Sequence, residues 1–129
     1  MSVVSNSDGT VRQQMIDLDL ARYFEGVFDS RELGFEKPDP RIFHAVIEAR
    51  KLHPDECLYV GDVMMIDVVG ANAAGIAGVH LDPFGLYAGW PGIHFANLDA
   101  LADALIDESF DHRAPDFFPF APRSAFSSE

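Results

Sequence analysis

Leu58-Tyr59-Val60 is a short apolar run that stops at Gly61-Asp62, and helix-compatible small residues follow from Ile66 to Ala74. Gly75 breaks that helix, and Ile76 to Leu81 is apolar again. A run without polar alternation reads as a strand buried on both faces. A glycine-stopped helix between two such runs makes a parallel β-α-β unit. This unit commits the chain to a parallel sheet covered by helices, in which chemistry gathers beyond the carboxyl ends of the strands.

The remaining chain fits that frame. Ser2 to Ser5 is a short run leading into the turn-forming Asn6-Ser7-Asp8-Gly9, and a helical pattern follows through Val11, Met15 and Ile16. Val27-Phe28 starts a brief strand ending in Asp29-Ser30. Asp39 caps a helix with Pro40 at its first position and Ile42, Phe43, Val46 and Ile47 on one face. Asp82 to Phe95 reads as an ordered loop rich in Gly, Pro and aromatics. Asn97 caps a last helix predicted to turn Leu98, Leu101, Ala102, Leu105 and Ile106 inward, with Asp99, Asp103 and Asp107 in water. The expected fold is a three-layer α-β-α, Rossmann-like parallel sheet over residues 1–112. A Pro/Phe-rich tail occupies 113–129, either draped over the domain or disordered.

With 129 residues, 48% of them apolar, there is material for one core. Twenty-one acidic against nine basic residues give a net charge of -12, which repels a polyanionic backbone and excludes nucleic acid as a partner. A small anion remains compatible, because one metal ion or lysine reverses the local field. No apolar run reaches the length of a membrane span, and neither a signal peptide nor a membrane role is expected. A soluble, cytoplasmic protein is the expectation. Cys57, the single cysteine, excludes an internal disulfide and a thiolate cluster.

Three polar clusters fall at strand ends. Asp62 and Asp67 flank the top of a buried strand, where uncompensated carboxylates are costly and Mg²⁺ would compensate them. Alternatively, Asp62 caps the next helix and Asp67 faces solvent. Lys37, in Glu36-Lys37-Pro38-Asp39-Pro40, is a cation on a backbone stiffened by prolines, suited to a phosphoryl oxygen or simply solvated. Ser5 and Asn6 offer a hydroxyl and turn amides to an anion, although both residues are also ordinary turn formers.

Taken in order, Val3-Val4-Ser5-Asn6, then Gly34 to Phe43 around Lys37-Pro38-Asp39-Pro40, then Tyr59 to Ala71 with Gly61-Asp62, Asp67 and Gly70-Ala71, resemble the second, third and fourth motifs of the haloacid dehalogenase-like hydrolases. The resemblance runs from about residue 2 to Phe84. It implies that Ser5, Lys37 and Asp62 are catalytic, that Ser5, Asn6 and Lys37 bind substrate, and that Asp62 and Asp67 hold Mg²⁺. It implies a phosphohydrolase acting on a small phosphorylated metabolite through an aspartyl-phosphate. The nucleophile's Asp-x-Asp pair should precede Ser5. The expectation is therefore a C-terminal part of the core, an incomplete fold without the first, nucleophile-bearing strand or the cap, and inactive alone. Closure of the sheet, a homodimer or a missing N-terminal segment would complete it. The alternatives are a non-catalytic remnant or subunit binding phosphate, metal or a protein partner, and a 2-haloacid dehalogenase-like hydrolase. Two carboxylates at a metal favour the phosphatase branch.

Overall fold

The computed structural model describes residues 1–108 and 111–121. It divides into two compact units, Met1–Leu52 and the chain from His53 onward.

In the first unit, β1 (Ser2–Ser5) and β2 (Gly26–Asp29) pair in parallel, with Ser2 opposite Gly26 and Ser5 opposite Asp29. Parallel partners need a crossover, supplied by α1 (Val11–Asp17) and a 3₁₀ turn at Ala21–Tyr23. The short α2 (Ser30–Leu33) ends at Gly34, whose φ of 80° is the left-handed conformation that glycine adopts without strain. In α3 (Pro40–Arg50) the Asp39 carboxylate accepts from the Arg41 amide, Pro40 takes the first turn, and Ile42 and Phe43 are buried. The cap and its proline are those the sequence implied.

In the second unit, β3 (Leu58–Gly61), β4 (Ala77–Leu81) and β5 (Ile93–Phe95) form a parallel sheet in the order β3-β4-β5. The crossover between β3 and β4 is α4 (Met64–Ala73), and α5 (Leu98–Ile106) follows β5. Side chains alternate across a strand. Ala77 and Val79 therefore share one face of β4 and pack with Leu101 of α5 and Phe117. Gly78 lies on the opposite face against α4, where a Cβ would stand 2.8 Å from Val68 Cγ1. Helices on both faces make this unit an α-β-α sandwich.

Three expectations are corrected. First, β1 stands at the head of the chain, hydrogen-bonded to β2 along its length, so the first strand is present and the picture of a core without one does not hold. Val3-Val4 is too short a run to declare a strand by itself, and its parallel partner makes it one. Second, the 82–95 stretch holds β5, whose three residues are too few for a visible alternation. Third, α5 buries Leu101, whereas Leu98, Leu105 and Ile106 are exposed, Ile106 to 80%.

The stretch beyond Arg113 takes up a place on this sheet as far as Ala121. Phe117 is buried, and Asn72 of α4 donates to the carbonyls of Ile76 and Phe117 while accepting from the Phe120 amide. Phe110 and Phe126 lie outside the described residues.

Candidate functional site

Ser5 ends β1, and the loop after it is held at successive points. Asn6 Nδ2 donates to the Lys37 carbonyl at 3.0 Å, and the Lys37 amide donates to Asn6 Oδ1 at 2.8 Å. Ser30 Oγ accepts from the Ser7 amide and donates to the Ser7 carbonyl. The Gly9 and Arg31 amides donate to the carboxylate of Asp29, whose side chain is wholly buried. A buried carboxylate is tolerable when charge-assisted hydrogen bonds of this kind replace its water. Ser5-Asn6 and Lys37, two separate clusters in the sequence, thus lie in one unit, joined through the Asn6 side chain. A polar cleft of about 580 Å³, lined by Ser7, Asp8, Ser30, Arg31 and Glu36 among others, opens beside the loop.

The second cluster lies at the end of β3. Asp62 is exposed, while Asp67 is buried, with 3% of its surface accessible. Asp67 Oδ2 accepts from the Val63 amide at 3.0 Å, and the Tyr59 hydroxyl donates to Oδ1 at 3.5 Å. This reverses the alternative in which Asp62 caps the helix and Asp67 faces water: the cap position is Val63, and Asp67 is the carboxylate that reaches back to it. Gly61 makes that possible. A Cβ there would lie 2.2 Å from Asp67 Cγ, so only glycine leaves Asp67 its position. Met64 is buried and Met65 exposed, which divides the adjacent methionines between packing and surface.

Sequence reasoning missed two supports. Asp29 is one; an Asp-Ser pair closing a short apolar strand was its only signal. His80 is the other, almost wholly buried, with Nε2 donating to the Asp62 carbonyl at 3.1 Å. Its Nδ1 lies 2.9 Å from Nδ1 of His94, whose Nε2 donates to the Trp90 carbonyl. Carbonyls only accept, so Nε2 carries a proton in each ring. The histidines fall on neighbouring strands, so no spacing in the sequence pairs them.

The donor set at β3 fits Mg²⁺. No group of three or more His, Cys, Asp or Glu residues able to hold a metal occurs among the described residues, yet Mg²⁺ takes one or two carboxylates and keeps several waters. Asp62 offers an exposed carboxylate, and Asp67 shapes the loop that carries it. Partial burial of Cys57, then the neighbouring Glu56 and Asp55, raise its thiol pKa.

The sequence profile of the haloacid dehalogenase-like hydrolases matches residues 1–80 of the 129. The chain belongs to that family. The match begins at the first residue and takes in β1, which overturns the reading of the chain as only a C-terminal portion of the core. Among curated relatives, a glyceraldehyde 3-phosphate phosphatase of Methanopyrus kandleri is 38% identical over 69 residues, covering 54% of this chain and 30% of that protein. A phosphoserine phosphatase of Thermus thermophilus is 39% identical over 71 residues, covering 55% and 28%. The chain thus spans about a third of the length of these relatives. The crystal structure of a phosphatase of the family from Thermococcus onnurineus superposes with a TM-score of 0.75 at 27% identity, covering 81% of this chain and 49% of that one. No helix among the described residues is long and apolar enough to cross a membrane.

Proposed function

We propose that this haloacid dehalogenase-like chain serves the Mg²⁺-dependent hydrolysis of a small phosphate ester, supplying groups that hold phosphate and metal. The observation that carries the reading is the loop at the end of β3, where Gly61 makes room for a buried Asp67 and Asp62 is left exposed. The phosphatases among its relatives support the substrate class.

In this reading the Ser5 hydroxyl and the Asn6 amide donate to phosphoryl oxygens, and Lys37 offsets their charge. Asp62 would ligate Mg²⁺, with Asp67 holding the loop. When bound, Mg²⁺ neutralises phosphoryl charge and orients the ester. The Asn6 carboxamide acts through Lys37, and Asp29 and Ser30 keep the loop from moving.

An aspartyl-phosphate requires a nucleophilic carboxylate paired with a second Asp two residues on. The one Asp-x-Asp string in the sequence, Asp17-Leu18-Asp19, closes α1, and Asp19 sits at φ 56° in an exposed ion pair with Arg22. It does not end a strand, where the reaction needs it. The 129-residue chain by itself is therefore proposed to hold phosphate and metal without turning substrate over.

Hydrolysis of an aryl phosphate with Mg²⁺ and with EDTA, beside Asp62→Asn, tests both parts. The expected rate stays at the level of the variant. Mg²⁺-dependent turnover lost in Asp62→Asn would keep the phosphatase assignment and give the nucleophile's role to a carboxylate of this chain.

A further inference from the structure

The two hydrogen bonds between Asn6 and Lys37 have an unusual form: one side chain meets both the N–H and the C=O of a single residue. The Asn6 carboxamide thereby imitates a neighbouring strand, and it is spent on protein rather than on a ligand. Asn6 adjoins Ser5, which ends β1, so the bond pair fixes the backbone of Lys37 relative to the Ser5 hydroxyl. Ser30 and Asp29 bind the next residues of the same loop, so Asn6 is mounted on a braced support. Lys37 has several rotatable bonds, and its backbone position decides where the ammonium can reach.

We infer that Asn6 is a positioning residue: its carboxamide clamps the Lys37 backbone and sets the ammonium against Ser5, so that phosphate affinity depends on Asn6 without its side chain touching phosphate. This rests on the proposed role of Ser5 and Lys37. The bonds are exposed, and their removal costs little global stability because water satisfies the freed groups. Alignment suffers instead, since even small displacements of a binding group are felt strongly.

The test is binding of inorganic phosphate in the presence of Mg²⁺, followed by amide NMR, for the unsubstituted chain, Asn6→Ala, Lys37→Ala and the double variant. Asn6→Ala is expected to weaken binding by about tenfold in the unsubstituted background and less than about twofold when Lys37 is already Ala, because the two act as a unit. Hydrogen exchange at the Lys37 amide should accelerate in Asn6→Ala while the urea midpoint holds. Equal weakening in both backgrounds, or none, would overturn the clamp and leave the functional reading standing. Failure of the unsubstituted chain to bind phosphate would overturn the functional reading and the clamp's role with it.

Discussion

A carboxylate withdrawn from water must find donors, and Asp29 and Asp67 find them in backbone amides. Replacing Asp29 by Ala strands the Gly9 and Arg31 amides, and stability should fall by about 3 kcal/mol in urea unfolding. Gly61→Ala drives a Cβ into Asp67, and a loss of about 1–3 kcal/mol is expected, with weaker Mg²⁺ binding as the loop shifts. The Asp39 carboxyl is held below its ordinary value of 3.8 by the Arg41 side chain and then by the Arg41 amide. A depressed folded-state pKa means that its contribution to the start of α3 is present above the unfolded value and is lost as pH falls through the folded one. NMR titration of the Asp39 carboxyl should give a midpoint below 3.8. At this scale the sequence was legible where a residue acts locally, as Asp39 and Asn97 do on helix starts three residues away or fewer. It was illegible for Asp29, His80 and His94, whose partners are 14 or more residues distant in most of their contacts.

Among the elements, β4 is the axis of the second unit, flanked by β3 and β5 and covered by α4 and α5. Its Val79 packs with Phe117, so the segment after Arg113 is part of the core as far as it is described. Phe117→Ala should cost about 3–5 kcal/mol by thermal or urea unfolding. Ile106→Lys, on the exposed side of α5, should change stability by no more than about 0.5 kcal/mol. The amphipathic period identified α5 correctly as a helix but assigned it too wide a buried face. A five-residue apolar pattern on a nine-residue helix describes what could be buried, whereas Leu101 is the residue that packs with Ala77 and Val79 of the sheet. β5 escaped for the opposite reason, since pairing with β4 rather than its own composition makes it a strand.

At the largest scale, the order of strand-end motifs identified the family, while the presence of β1 as a strand was misjudged, because pairing partners are a tertiary property. The net charge of -12 bears on whether Asp62 belongs to a specific Mg²⁺ site: an acidic surface attracts divalent cations diffusely, and that attraction is screened by salt. A built site differs in being local. The decisive measurement is a Mg²⁺ titration of the isotope-labelled chain at about 0.15 M salt, a regime that screens exposed charges beyond about 8 Å, with Asp62→Asn alongside. For a specific site at Asp62, saturable amide shifts centred on Gly61 to Asp67 are expected, and they disappear in the variant. Weak shifts spread over the acidic surface and unchanged by Asp62→Asn would mean diffuse attraction without a Mg²⁺ site at Asp62.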